Sequence, residues 1–466
     1  MMNDELYTTA VKRLDTKLGG YANANSRASA YYDQSYRVRL LDLGLPPEAS
    51  YLRMTIGWAR TVVDVLAERI TCRGWEAEGV EHDVMTDLWQ SSGANAAVQE
   101  AVVDSLVYGI GFISATRGDE AYGEPRVLVR AHSATSTTAT ISPRTGRVTE
   151  AWTRHDDENG TLWTDRAIVE MVKRGGKWIV HAVYEHGFGR VPMIAYRNSA
   201  RSGKRGGRSE ITPAIRTAID SATRAMVSMD VNREFFSIPH RYIVGVTGTF
   251  KNKTTGSPLE AWELAARSYL TIPADEETGV EPSVGEFSSV SAGPYLEQIR
   301  GLAQVVAAEA GIPSSFMGTE YANPSSADAI RMEEARLVRR SLHRIQALSG
   351  ELDTLGKMAL SMYLGKSVAD TPRVSTSFDD PATSALSSDA DAWTKLATAG
   401  VIGGDSTVIL RKLGFTRSEI AEVQAERSTS DRRKRLEAIA QIVGGNAAQV
   451  PQHEPRSQSD GGEATP

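Results

Sequence analysis

Two long helices separated by a short break, within residues 291–364, limit what the chain can fold into. The first opens at Ser291, accommodates Pro294 in its first turn, and carries Leu296, Ile299, Leu302 and Val306 at helical spacing. Gly311-Ile312-Pro313 stops it, because proline cannot continue the hydrogen-bond ladder and glycine accepts the terminal conformation. A connector follows, Ser314 to Pro324, with no lysine or arginine. Ser325 or Ser326 then caps a second helix, with Asp328 in its first turn. Val338, Leu342, Ile345, Leu348, Leu352, Leu355, Ala359 and Met362 recur there at steps of three and four. From Ser326 to Leu364 it would run about 58 Å, far beyond an average globular helix. One small core does not bury such a helix, so neighbours are expected, including other copies of the chain.

Upstream, residues 3–45 read as two polar helices, the first with Leu6, Val11, Leu14 and Leu18. The second spans Ala28 to Leu43 and holds Tyr31, Tyr32 and Tyr36, which read as half-buried packing rather than a ligand cage. Pro46-Pro47 separates them from a helix over about Ala49 to Ile70, and another runs from His82 to about Tyr108. The apolar period then changes to two. Phe112–Thr116, Val127–Ala131, Thr137–Ile141, Val148–Arg154, Ile168–Lys173 and Trp178–Tyr184 read as strands of one antiparallel meander. Turn signals at 143–146, at 156–160 and at Gly175-Gly176 punctuate them. A basic, glycine-rich linker over 201–208 leads to a helix from Ser209 to about Ser237, ended by Pro239.

A module of about fifty residues follows, with strands at Tyr242–Gly245 and Leu270–Ile272, a short helix at Leu259–Arg267 and an acidic turn at Asp275, Glu276 and Glu277. It hangs between the helices 209–237 and 291–310, a compact tip on a paired-helix stalk. After the long helix come a strand at Arg373–Phe378 and helices at about Asp389–Ala399, Ser406–Leu413, Arg417–Ser428 and Asp431–Val443. Gly444 to Pro466 has almost nothing apolar and is expected to be disordered. The fold class is therefore α+β, mainly helical, with an antiparallel insertion.

Composition excludes several classes of function. At 466 residues and 41% hydrophobic content, the chain matches a soluble protein of about three domains. One cysteine, Cys72, rules out an intrachain disulfide and a four-cysteine zinc site, and suits a reducing compartment. Met1 to Ala10 lacks an apolar signal core, and no uncharged apolar run is long enough to span a membrane. A net charge of −6 opposes bulk attraction to nucleic acid.

The search for chemistry finds no phosphate-binding GxxxxGK[ST], no HExxH, no GxSxG and no paired CxxC. His181, Glu185 and His186 could be imagined as metal ligands, but positions 181 and 186 would face opposite sides of an alternating strand, which argues against a metal site. Arg331, Arg336, Arg339, Arg340 and Arg344 interleave with Glu333, Glu334 and Glu351, which reads as a salt-laced helix face or subunit interface more than a phosphate site. No catalytic residue, metal ligand or cofactor is named.

Two runs carry a family resemblance. Gly207-Arg208-Ser209-Glu210-Ile211, its helix to Phe235-Phe236, and Ile238-Pro239-His240-Arg241-Tyr242 resemble the top of the stem in portal proteins of tailed double-stranded DNA bacteriophages. Ala310-Gly311-Ile312-Pro313 and Asn323-Pro324-Ser325-Ser326-Ala327-Asp328-Ala329-Ile330 resemble that family's tunnel-loop region, in the branch of long-tailed phages of Gram-positive hosts. The order of elements matches over about 30–440. The resemblance implies a wing at 1–208 with 326–385, stem helices at 209–237 and 291–310, a clip at 238–290, a tunnel loop at 311–325 and a crown at 386–443. It also implies a homo-oligomeric ring, usually of twelve copies, at one capsid vertex of the virion, assembled in the host cytoplasm with capsid and scaffold proteins. Double-stranded DNA would pass through it non-specifically, driven by a separate terminase, and a head-completion adaptor would dock on it. Asp275, Glu276 and Glu277 would face those docking proteins, and no membrane is involved.

The residues fit that expectation on physical grounds. A conduit must touch a polyanion without holding it, and each lysine or arginine paired with phosphate would add binding through counterion release. Ser314, Ser315, Phe316, Met317, Thr319, Glu320, Tyr321 and Asn323 are the expected DNA-facing positions, with Glu320 the sole charge among them. The plain alternative is a polar helix connector. At the level of the whole chain, the alternatives are a capsid- or scaffold-type shell protein and a cytosolic enzyme with a β insertion.

Overall fold

The computed structural model describes residues 2–39, 54–203, 206–236, 241–244, 269–272, 283–286, 291–318 and 327–382, with scattered positions between 395 and 433. Two compact units divide the chain, Met1–Ala382 and Thr383–Pro466. Described positions of the second unit include helical backbone at 423–429, overlapping the helix expected at Arg417–Ser428 and running one residue past it. The other helices expected beyond 385, and the tail from Gly444, lie largely or wholly outside the described residues.

The first unit starts with α1 (Met2–Tyr32), a helix that is polar along most of its length. Its stripe of Val11, Leu14 and Leu18 packs on Trp152, Leu162, Val169, Met171 and Trp178 of a five-stranded antiparallel sheet. That sheet runs in sequence order, β4 (Thr137–Ile141), β5 (Val148–Arg154), β6 (Asn159–Trp163), β7 (Ala167–Arg174) and β8 (Lys177–Glu185). Trp152 and Trp178 meet edge to face at 4.9 Å, and Trp152 Nε1 donates to Asp15 at 3.2 Å. The helix is thus held by the sheet rather than by its own propensity. The opposite face, through Ala139, Ala151 and Trp163, packs on Phe112, Met193 and Ala195 of a second sheet.

That second sheet is three-stranded, in the order β3 (Val127–His132), β2 (Ile110–Arg117), β9 (Met193–Arg197). It separates the meander from the main core. There α2 (Trp58–Ala67), α3 (His82–Ser91) and α4 (Ala94–Tyr108) meet α5 (Pro213–Phe236), α6 (Gly293–Ala310) and α7 (Ala327–Leu364). A two-stranded sheet of β1 (Cys72–Ala77) and β13 (Val374–Phe378) ties the end of this unit back to its start. Between α5 and α6 lie β10 (Arg241–Val244), β11 (Tyr269–Ile272) and β12 (Ser283–Glu286), with β10 central, parallel to β11 and antiparallel to β12.

Several expectations are corrected. Helix does not resume at Ala28–Leu43: α1 runs unbroken to Tyr32, and 35–39 are irregular. Tyr31 and Tyr36 stack at 4.6 Å, while their hydroxyls reach Asp220 at 2.7 Å and Thr223 at 2.9 Å on α5. The helix expected from Ala49 begins only at Trp58, and the helix expected over 82–108 divides at Ser92-Gly93 into α3 and α4. The single meander is two sheets, with β1, β6, β9 and β12 unanticipated. The long helix is α7, 38 residues or about 57 Å. Its second half, from Leu348 through Leu352, Leu355, Met358 and Met362, is buried inside this chain's own unit. Only its first half keeps a largely open face, where Met332 is 77% exposed. The short helix expected at Leu259–Arg267 lies outside the described residues.

Removing the ring that pins α1 tests this account. Trp152→Ala should cost about 3–5 kcal/mol and make α1 the first site of limited proteolysis. Leu6→Ala, at a position 64% exposed, should leave the unfolding transition within about 0.5 kcal/mol of wild type. Equal melting curves for Trp152→Ala and wild type would contradict the packing role.

Candidate functional site

The run Gly207-Arg208-Ser209-Glu210-Ile211 delivers the chain from β9 into α5, and each residue has a separate physical task. Gly207 has φ +77°, and a Cβ there would sit 1.9 Å from the Gly109 carbonyl oxygen, so only glycine fits. Arg208 N–H donates to the Asn198 carbonyl at 2.8 Å, and Asn198 Nδ2 donates back to the Arg208 carbonyl at 2.7 Å. What reads in sequence as a basic linker is therefore pinned at its end. Ser209 Oγ accepts from Ile211 N–H at 3.0 Å and Thr212 Oγ1 from Ile215 N–H at 3.3 Å, so the helix starts at Pro213 rather than just after Ser209. Thr212 also donates to Glu309 at 3.2 Å, joining the top of α5 to the last turn of α6.

Glu210 is the centre of this arrangement. Its N–H donates to the Leu106 carbonyl at 2.8 Å. Its carboxylate, 7% exposed, receives Asn198 Nδ2 at 2.8 Å and Arg344 on Oε1, and Arg340 on Oε2. Burial opposes ionisation, yet Arg344, Arg340 and Asn198 outweigh it and hold the carboxyl below its usual range. Arg344 is itself buried, donating to Ser199 Oγ at 3.0 Å and to the Arg340 carbonyl at 2.9 Å. One carboxylate thus fastens the root of the paired helices to the middle of α7. The α7 arginines read in sequence as a salt-laced helix face or a subunit interface. Within the chain, Arg340 and Arg344 use Glu210, Arg336 donates to the Ala308 carbonyl at 3.0 Å, and Glu334 pairs with Arg69 at 3.1 Å.

Beside this fork lies a cleft of about 680 Å³, whose walls include Arg197, Arg208, Arg339, His343, Glu309 and Glu351. Burial raises the Glu351 carboxyl more than Arg197, Arg190 and Arg147 lower it.

The connector after α6 begins with one tight turn, Ser314–Met317. Phe316 N–H donates to the Pro313 carbonyl at 3.3 Å and Gly318 N–H to the Ser315 carbonyl at 3.1 Å. Phe316 is 40% exposed, whereas Met317 is 7% exposed and packs in the main core. Met317, grouped in the sequence reading with the DNA-facing residues, is thus the anchor of the turn. Ser314 and Ser315 stand in the same turn, while Thr319, Glu320, Tyr321 and Asn323 lie outside the described residues. So do Asp275, Glu276 and Glu277.

Elsewhere, His186 is half-buried, stacked on Phe188 at 4.8 Å with Nε2 3.2 Å from the Thr164 carbonyl, and His181 is exposed. Among the described residues no group of His, Cys, Asp and Glu has the geometry of a metal site. Cys72 is buried against the Ser377 carbonyl, and burial pushes its thiol up to about 12. Among the described residues no helix is long and apolar enough to cross a membrane. The clamp on Glu210 was not legible beforehand, because its partners stand 12, 130 and 134 residues away.

This helical body with its β insertion and paired-helix stalk is that of a phage portal protein. The chain belongs to the family whose model is described as Phage portal protein, SPP1 Gp6-like, which matches residues 31–433. The portal protein of Mycobacterium phage D29 is 30% identical over 390 residues, covering 80% of this chain and 79% of the relative. That of Mycobacterium phage L5 is 29% identical over 383 residues, covering 79% and 77%. Among solved structures, a chain from the neck of a native GTA particle, computed with C12 symmetry, aligns with TM-score 0.44 and 14% identity over 84% of this chain and 99% of that one. A chain from the neck of an empty GTA particle, computed with C6 symmetry, gives 0.45 and 16% over 83% and 98%.

The clamp generates a pH prediction. Because the folded carboxyl of Glu210 titrates below its unfolded value of 4.5, its stabilisation is present above pH 4.5 and is lost as pH falls through the lower folded value. Glu210→Ala leaves two guanidinium groups without their buried partner and should cost about 3–5 kcal/mol near neutral pH. The gap between variant and wild type should narrow as the pH is taken well below 4.5, read by thermal unfolding. A gap that stays constant down to the acid limit would contradict a charged Glu210.

Proposed function

We propose that this portal protein closes head to tail into a ring, twelve copies in the reading the family resemblance implies, with the paired helices α5 and α6 around the bore. Double-stranded DNA passes through that bore during packaging and ejection. The family match over residues 31–433 carries this reading. The surface of the chain supports it: Leu296 and Val305 of α6, Phe316 after it, and Met332 and Leu342 of α7 are large apolar side chains each at least 40% exposed. A lone chain leaves these side chains wet, and neighbouring copies would cover them.

Within the ring, residues 1–208 with 326–385 are the wing, 238–290 the clip and 386–443 the crown. The clip strands β10 to β12 present the turn with Asp275, Glu276 and Glu277 to terminase and to the head-completion adaptor. Capsid and scaffold proteins surround the wing, and assembly takes place in the host cytoplasm. The tunnel loop offers Ser314, Ser315 and Phe316, then Thr319, Glu320, Tyr321 and Asn323, to the DNA, while Met317 holds its root. With no lysine or arginine between Ser314 and Pro324, the loop brushes phosphates without releasing counterions.

Replacing Thr319 and Glu320 together by arginine tests this reading. Each added guanidinium can pair with a phosphate, so packaging and ejection should slow, more at low salt than at high salt. Rings should still form, because two side chains of a loop add little to subunit contacts. Wild-type packaging and ejection rates at every salt concentration would place the loop away from the DNA path.

A further inference from the structure

The connection between β2 and β3, residues 118–126, is an acidic tip with a rigid interior. Asp119 Oδ1 accepts from Ala121 N–H at 2.9 Å, and Glu124 Oε2 accepts from Asp119 N–H at 2.9 Å. Arg126 braces the tip, donating to the Tyr363 carbonyl of α7 at 2.8 Å and pairing with Glu120 at 3.5 Å. At its apex Tyr122 is 86% exposed, the most exposed large apolar side chain among the described residues. A preorganised turn holding an aromatic ring in water between Glu120 and Glu124 has the make-up of a docking knob, since tyrosine is enriched in protein interfaces and ordering costs are already met.

The matching socket lies at the other end of the same sheet. Strand register pairs Ile110 with Arg197, on the wall of the arginine cleft, and Arg117 with Val127, at the root of the tip. Along β2 these ends are about 23 Å apart. The cleft walls carry six arginines against three glutamates. Two of the arginines are committed to Glu210, whereas Arg339 is exposed and makes no salt bridge among the described residues. Around the tip the balance is reversed: the lining of its flank contains five carboxylates and one arginine. A chain of net charge −6 has therefore gathered a positive socket and a negative knob at opposite ends of one strand. That is the arrangement a heterologous, ring-closing contact requires.

We propose that the 118–126 tip of one copy enters the arginine cleft of the next copy, Tyr122 lying over a guanidinium plane and Glu120 facing Arg339. The inference rests on the ring reading above. The cleft volume of about 680 Å³ accommodates a tyrosine ring with the carboxylates beside it. A phosphate backbone is the competing occupant of an arginine cleft, but it leaves the acidic tip and its exposed ring without a role.

Purified full-length chain, examined by mass photometry near physiological salt, distinguishes the outcomes. Arg339→Glu and Glu120→Arg should each raise the concentration at which rings form by about tenfold or more, and the two combined in one chain should recover most of that loss. Tyr122→Ala should also raise it while leaving the thermal unfolding of the monomer unchanged. Wild-type rings together with unaffected single variants would overturn the pairing and leave the ring reading standing. So would a combined variant as poor as the sum of its parts. If Arg339→Glu leaves assembly intact but weakens retention of a short DNA duplex, the cleft is a phosphate contact and the pairing is again overturned. A wild-type chain that stays monomeric overturns the ring reading and this pairing together.

Discussion

The architecture depends on one buried carboxylate. Glu210 stands where the β-rich part of the chain hands over to the paired helices, and it binds Arg340 and Arg344 of α7 as well as Asn198 at the end of β9. An ion pair this deep is weak evidence of net stability, since desolvation offsets much of the attraction. It is strong evidence of fixed geometry, because moving α7 past the top of α5 by a fraction of a turn would strand two guanidiniums. If these helices line a bore around a moving polymer, as proposed, that fixity is what the bore requires. The same fork joins the start of α5 to the sheet of β3, β2 and β9 and to α7.

Burial along α7 shows how its length is used. The second half contributes Leu348, Leu352, Leu355 and Met358 to the core of its own unit, each at 0% exposure. The first half carries Met332, Leu342 and Arg339 outward, while Arg340 and Arg344 turn in to Glu210. One helix thus serves as core element and as outer face, and about 57 Å of length lets it do both without a break. The small residues Ala218, Ala222, Ala303 and Ala307, all buried on α5 and α6, allow those two helices to run close together near their tops.

Much of this was legible in the sequence wherever one period ran uninterrupted. α6, α7 and the stop at Gly311-Ile312-Pro313 follow from apolar spacing and punctuation alone. What local pattern could not show came from partners remote in the chain. Tyr36 continues a helical-looking run after Tyr31 and Tyr32, yet its ring folds back on Tyr31 and its hydroxyl is taken by Thr223, so the helix ends. Among the described residues β1 pairs with β13 alone, some three hundred residues later, which no local period announces. Asn159-Gly160 reads as a turn, but Gly160 pairs with Arg154 and Met171 within β6, and it is glycine there because a Cβ would meet the Trp152 ring at 2.3 Å. At the candidate site, Met317 looks like any other residue of an uncharged loop until packing shows it buried, and nothing near Glu210 in sequence discloses its arginines.

Electron microscopy of the purified full-length chain tests the central claim most directly. End-on views should show a closed ring with a central hole, and side views a stalk from the paired helices ending in a narrower tip. Single compact particles at micromolar concentration, or closed shells in place of rings, would contradict the account.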